Sequence, residues 1–205
     1  MSTKASESKQ RIRSIALDLI KEKGYDSVTI NDICTAANIS KNTFYYHFKS
    51  KEDLLVQYDD IPNFIMTGNL ASVLMEETSI EQFWKLMEPM LDYIADQGPE
   101  ITKYVLYAFS KQKIQAFTTS KFFQDISTVI VTILEKAQSS GEIRNTSDPA
   151  LLLATAGTQF IGTVSAWSTT NGNFDLKDAY RLTIEVCFDV KPELRKAPAD
   201  ALSEM

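Results

Sequence analysis

The sequence predicts an all-α protein: a small N-terminal three-helix unit, then a larger helical body, with about nine helices in all. Three observations predict it. Apolar residues recur at three-to-four spacing along most of the chain, the period of a helix buried on one face. Only seven Gly and six Pro occur in 205 residues, too few for the many turns of a sheet protein. Helix start signals precede the periodic stretches, and Gly or Asn follows several of them. No stretch alternates as a strand would, and no segment repeats.

The length allows one or two compact units with a real core. A hydrophobic content of 44% and a charged content of 23% are ordinary for a globular chain. The N-terminal MSTKASESKQRIR lacks the apolar core of a signal peptide. No apolar run is expected to reach the ~20 residues of a membrane span. The two cysteines, Cys34 and Cys187, lie far apart and suggest a reducing compartment. A cytoplasmic location without a membrane partner is the expectation.

Residues 1–8 are polar and read as a frayed end. Helix one is expected from about Lys9 to Lys23, with Ile12, Ile15, Ala16, Leu19 and Ile20 as its apolar stripe. Gly24 is placed to end it, and Tyr25 and Val28 to pack the connection. The stretch Thr29–Lys51, TINDICTAANISKNTFYYHFKSK, then organises the chain. Thr29 with Asp32 forms a capping-box pattern, and Ile30 and Ile33 repeat at helical spacing. Ala36 and Ala37 are small enough for close helix approach. Asn38 tolerates the left-handed backbone of a turn, Ile39 is a lone apolar plug, and Ser40 is a strong N-cap for a helix over Lys41–Phe48. Two short helices joined by a tight turn form a helix-turn-helix.

The second helix has unusual chemistry for its size. Phe44 and Phe48 are four apart and anchor it inward. Lys41, Asn42, Thr43, Tyr45, Tyr46 and His47 remain, nearly all hydrogen-bond donors, and Lys49 and Lys51 follow. Donors projecting from a helix start suit a DNA major groove. Net charge is −6, but it is unevenly spread. Residues 1–51 hold nine Lys/Arg against five Asp/Glu, and the rest holds 12 against 22. A basic module on an acidic body fits nucleic-acid contact at one end.

These residues resemble the DNA-binding domain of the TetR family of bacterial transcription regulators. The resemblance rests on Ile30, Ile33, Ala36-Ala37, Ser40, the run Phe44-Tyr45-Tyr46-His47-Phe48 and Lys51-Glu52-Asp53-Leu54, and covers roughly a quarter of the chain. Asn38-Ile39 stands where the family often has Gly-Val. The resemblance implies that Lys41, Asn42, Thr43 and Tyr45 reach base edges or nearby backbone. It also implies that Thr29, Ser40, Tyr46, His47 and Lys51 hold phosphates. On this reading residues 1–52 are the DNA-binding domain, 53–190 a ligand-sensing and dimerisation domain, and 191–205 a flexible tail.

In the body, Ser50 and Asp53 start a helix that Pro62 should kink or break. Ser79 to Asp96 is a further helix, with Pro89 inside it. Gly98-Pro99 punctuates, and an aromatic-rich helix runs to about Phe117. Phe122 to Gln138 resumes the pattern, and Gly141 stops it. Asp148-Pro149 starts a helix to about Ser168, as N-cap and N1. Asn171-Gly172 turns the chain into a last helix over Asp175–Asp189.

The last two helices are apolar on more than one face, so each is buried on more than one face. A second copy of the chain is one partner that would do this; a central position within its own chain is the other. The face for a second copy comprises Leu151, Ala154, Thr158, Ile161 and Ser165, then Ala179, Leu182 and Val186. The family resemblance implies a four-helix dimer interface here. A two-fold dimer demands a palindromic operator in double-stranded DNA.

His47 is the only histidine and lies in the second helix of the helix-turn-helix, so neither a catalytic triad nor a metal cluster can be assembled. No Gly-rich phosphate loop occurs. No catalytic residue, metal or cofactor is therefore expected. Aromatic and Met residues crowd the body: Trp84, Met87, Met90, Tyr93, Tyr104, Tyr107, Phe123, Phe160 and Trp167. They suit an organic effector in a cavity, although any single one of them at helical spacing is more often plain core. The resulting expectation is a ligand-responsive repressor, the family's usual logic. The alternative is an activator, or control by a protein partner.

Overall fold

The computed structural model describes residues 3–55, 70–111 and 121–203. Its ten α-helices in these residues are α1 (Thr3–Lys23), α2 (Ile30–Ala37), α3 (Lys41–His47), α4 (Lys51–Leu55), α5 (Leu70–Met75), α6 (Ser79–Gln97), α7 (Pro99–Lys111), α8 (Lys121–Ser139), α9 (Pro149–Thr169) and α10 (Leu176–Cys187). No strand forms among the described residues; one isolated antiparallel bridge joins Ile143 and Val190. The all-α expectation holds. Pro62, Phe117 and the side chains of Phe122 and Phe123 lie outside the described residues.

The chain divides into two compact units, residues 1–57 with 100–113, and residues 58–99 with 114–205. The first departs from the sequence reading, which gave all of 99–117 to the sensing body. Here the helix after Gly98 belongs with the N-terminal helices.

In the first unit α1 starts at Thr3, several residues before Lys9. Lys4, Ala5, Glu7 and Gln10 are good helix formers, so the polar end extends the helix into solvent. Ile12, Ala16 and Ile20 are buried as expected, but Leu17 joins them while Ile15 and Leu19 are only half-buried. The buried stripe is rotated by about one position, because α2 and α4 both pack on this helix. Gly24 ends α1 with a positive φ of 81°, its N–H bonded to Ile20 O at 2.9 Å. Arg11 donates to Ala37 O at 3.3 Å and Arg13 to Leu54 O at 3.1 Å, tying α1 to the ends of α2 and α4.

In the second unit α6, α8, α9 and α10 pack together, and α5 lies on α6. Thr78 caps α6 by accepting from Glu81 N at 3.3 Å. Asp148 caps α9 by accepting from Ala150 N at 2.8 Å, with Pro149 at the first helical position. Asp175 caps α10 by accepting from Asp178 N at 2.9 Å. Phe83 meets Phe188 edge-on at 5.4 Å between ring centroids. Tyr180 is fully buried; its hydroxyl donates to Ala156 O at 3.3 Å, and burial pushes its pKa well above the usual phenol range.

Residues 191–197 are not loose. Glu185 is a buried carboxylate that accepts from Lys196 N at 2.9 Å and from Arg181 Nε at 2.9 Å. Arg181 also pairs with Glu81 and lies 5.0 Å over the Trp84 ring. Arg195 Nε donates to Val190 O at 2.8 Å. A buried carboxylate needs all its partners, and the backbone of 196–197 supplies two of them. The segment is held because Glu185 requires it.

Helix α9 holds no continuous apolar run, as expected, yet it is long and uncharged. Its 21 residues carry no charge, and by length and composition alone it could cross a membrane. Thr, Ser and Gly interrupt its apolar character, which is why no continuous apolar run marks it in the sequence.

Candidate nucleic-acid interface

The helix-turn-helix is built from local hydrogen bonds. Thr29 and Asp32 close a reciprocal capping box: Asp32 N donates to Thr29 Oγ1 at 3.2 Å, and Thr29 N donates to Asp32 Oδ2 at 2.8 Å. These bonds hold the Asp32 carboxyl below its ordinary pKa. Asn38 takes the left-handed conformation, φ 52° and ψ 53°, and Ile39 N closes the turn on Cys34 O at 2.9 Å. An Asn in place of a Gly therefore leaves the turn intact. Ser40 caps α3 by accepting from Thr43 N at 3.1 Å. Between α2 and α3 lies a polar hollow of about 520 Å³, lined by Asn31, Cys34, Thr35, Asn38, Ile39, Ser40 and Lys41.

Helix α3 is pinned by two rings. Phe44 and Phe48 are fully buried, with ring centroids 5.5 Å apart. Lys41 and Asn42 are exposed at its start. Tyr45 is 53% and Tyr46 77% exposed, high values for large aromatic residues. His47 is half-buried, edge-on to Tyr46 at 4.9 Å. Burial, then the nearby Lys9, lowers the His47 pKa below its ordinary value. Lys9 also lies 5.8 Å from the Phe48 ring centroid. This face offers an exposed ammonium, an amide and two phenols from one short helix, a set able to donate to bases and phosphates together.

The remaining predicted contacts are placed differently. Thr29 and Ser40 spend their hydroxyls on helix caps, and Thr43 Oγ1 lies 2.9 Å from Ser40 Oγ. Lys51, expected on phosphate, donates instead to Tyr25 O at 2.7 Å and Val28 O at 2.8 Å. Its ammonium also lies 3.9 Å from the Tyr25 ring centroid. Two backbone carbonyls and an aromatic ring capture the cation within its own domain.

Among the described residues, those expected in an effector cavity do not line one cavity together. Tyr104 stacks on Tyr25 with centroids 4.1 Å apart, inside the N-terminal unit, and Tyr107 is exposed. In the other unit Trp84 and Phe160 both pack on Tyr180, at 6.1 and 5.5 Å, and Trp167 is buried against Gly172. Trp84 and Trp167 are core, and Phe160 is half-buried. Met87, Met90 and Tyr93 are half-buried. A separate apolar cleft of about 220 Å³ lies among Val73, Leu74, Gln82, Thr128, Val129, Thr132, Ile133 and Lys136. Sequence reasoning missed it because its wall joins α5 and α8, more than fifty residues apart. Among the described residues no group of His, Cys, Asp and Glu could hold a metal.

On the expected dimer face, Leu151, Ala154, Thr158 and Ile161 are exposed and Ser165 is half-buried. Val186 is exposed as well, but Ala179 is fully buried in its own chain and Leu182 half-buried. Ala179 therefore belongs to the chain's own core, because it faces the helices packed under α10.

Residues 12–58 match the family described as bacterial regulatory proteins, tetR family. The N-terminal residues are thus similar to the N-terminal domain of that family. The negative transcriptional regulator IcaR of the biofilm operon icaADBC, from Staphylococcus aureus (strain NCTC 8325 / PS 47), is 41% identical over 69 residues. That alignment covers 31% of this chain and 37% of IcaR, so the chain spans little more than a third of that relative's length. Solved structures match over more of the chain. FadR from Bacillus subtilis in complex with stearoyl-CoA superposes with a TM-score of 0.63 at 21% identity, covering 87% of this chain and 97% of that one. FadR from Thermus thermophilus, a TetR-family repressor in complex with lauroyl-CoA, gives 0.61 at 18% identity, covering 93% and 98%. At these identities the likeness shows a shared fold.

Proposed function

We propose that this chain is a ligand-responsive transcriptional repressor that binds a palindromic operator as a homodimer. The observation that carries the reading is α3, pinned inward by Phe44 and Phe48 while Lys41, Asn42, Tyr45 and Tyr46 stand in solvent. Asn42 and Lys41 read bases or the nearby backbone, and Tyr46 and His47 contact phosphates. IcaR's description as a negative regulator supports repression.

Leu151 and Ile161 are 58% and 57% exposed on α9, and a Cβ added at Gly157 or Gly162 would meet no atom within 4 Å. A large apolar surface beside open glycines supports close packing of a second copy. The cleft beside Val73 and Ile133 supports an apolar effector, and the acyl-CoA complexes of the two FadR proteins support an acyl compound. Effector binding that weakens operator affinity needs a coupling of only ~1–3 kcal/mol, about five- to 150-fold.

Selection from random DNA tests the reading. It should enrich a site with two-fold symmetry, and an unenriched pool would defeat it. For the effector, affinity is measured with and without saturating operator, because the coupling must be reciprocal. Equal values would remove the switch and leave a constitutive DNA-binding protein.

A further inference from the structure

Between the end of α1 and the cap of α2 lie five residues, Gly24 to Val28. They decide where α2 begins, and α3 follows α2 through a tight turn. The loop is held from two places. Lys51 takes the carbonyls of Tyr25 and Val28, at 2.7 and 2.8 Å. The rest of the hold comes from the first turns of α7, some 75 residues later. Glu100 Oε1 accepts from Tyr25 N at 3.1 Å. Tyr104 donates its hydroxyl to Asp26 Oδ2 at 2.8 Å, and its ring stacks on the Tyr25 ring at 4.1 Å and 30°.

Each contact meets a need of the loop. The N–H of Tyr25 has lost the helical carbonyl it would have bonded, since α1 ends at Gly24. Glu100 is close enough that a Cβ on Gly24 would lie 3.2 Å from its Oε1, so the carboxylate rests directly on the turn. Tyr25 is buried, and burial together with the nearby Glu52 carboxylate raises its phenol pKa. Ile101 and Thr102, on the same turn of α7, are buried. None of this is needed to form the helix-turn-helix, whose caps and turn are satisfied locally.

We infer that Glu100 and Tyr104 are positioning residues for DNA binding: from α7 they fix the Gly24–Val28 loop and thereby the pose in which α2 and α3 meet DNA. This rests on the DNA-binding reading above. Neither residue touches DNA in this scheme; both act through Tyr25 and Asp26. The chain enters α7 across Gly98, whose φ of 86° and ψ of 161° belong to a region open essentially to glycine alone. The residues that hold the loop thus begin directly after the chain leaves the other unit.

The test uses the full chain and the operator obtained by selection. Tyr104→Phe removes the bond to Asp26 and keeps the ring; Glu100→Gln weakens the bond to Tyr25 N. Far-UV circular dichroism checks that both remain folded. Each should lower operator affinity by roughly tenfold, the scale of one charge-assisted hydrogen bond. Each should also speed amide exchange at Tyr25 to Thr29. A double-mutant cycle of Tyr104→Phe with Asp26→Asn should be non-additive in operator affinity, with every variant melting far enough above the assay temperature that loss of folded protein cannot account for the effect. Wild-type affinity in both single variants overturns the proposal, whatever exchange shows, and so does an additive cycle. If the unmodified chain enriches no site, the DNA-binding reading itself fails and takes this one with it; wild-type binding with unaffected variants removes the positioning role alone.

Discussion

Helices α3 (Lys41–His47) and α9 (Pro149–Thr169) both present large side chains to solvent, and the two sets end differently. On α3, Lys41, Asn42, Tyr45 and Tyr46 all carry a donor at the tip. On α9, Leu151 and Ile161 end in methyl groups beside two open glycines. Water satisfies the first set, which can exchange it for phosphate or a base edge. Only another apolar surface relieves the second. Exposure alone does not say what a surface meets; the chemistry at the side-chain tips does.

Phe44→Ala should break this comparison most severely. It removes a fully buried ring from beneath α3, at a cost of ~3–5 kcal/mol to the N-terminal unit. DNA binding should vanish while light scattering still reports the mass of the associated form. Loss of association as well would show that the two surfaces are not independent.

Ile161→Asp is the reciprocal experiment. A carboxylate buried without a partner should weaken association about a hundredfold or more while leaving α3 folded. Sedimentation should give a monomer mass, and operator binding should fall because only one recognition helix then engages. A monomer mass for the unmodified chain at micromolar concentration would count decisively against the role given to α9.

Asn42→Ala and Lys41→Ala sharpen the donor side. Loss of a base contact at Asn42 should cost ~1–3 kcal/mol of preference for the selected site over random DNA. Lys41→Ala should weaken all sequences and lower the salt slope by about 1 if its ammonium meets phosphate. Lys51→Ala should instead lower the melting temperature with the salt slope unchanged, because its ammonium is already held by Tyr25 O and Val28 O. Titrations at several salt concentrations separate the three.

The smallest effect is a pH dependence. Burial keeps the His47 pKa below its ordinary value, so the imidazole is neutral near pH 7. A phosphate beside it favours the charged form and raises that pKa in the complex. Affinity should therefore rise as pH falls through the raised value, and level off below the value of the free protein. His47→Gln should flatten the profile between pH 8 and 6, and an unchanged profile would remove His47 from the phosphate contacts.

The sequence alone determined the N-terminal architecture. The Thr29–Asp32 box, the Asn38 turn, the Ser40 cap and the Phe44–Phe48 pair all join residues no more than four or five apart, so their order in the chain is their geometry. The Asp148 cap belongs to the same class, and the helix expected from Ser79 begins there, directly after its Thr78 cap. Tertiary structure decided what long-range partners do. Lys51 reads as a free cation until Tyr25 and Val28 reach it from 26 and 23 residues away. Tyr104 reads as pocket lining until Tyr25 stacks on it. Ala179 reads as interface until the helices beneath α10 cover it, and the segment after Val190 reads as loose until Glu185 claims its amides. Helical periodicity says that a side chain lies on an apolar or a polar face. It carries no information about which distant element arrives there, because that choice is made by packing the whole chain at once.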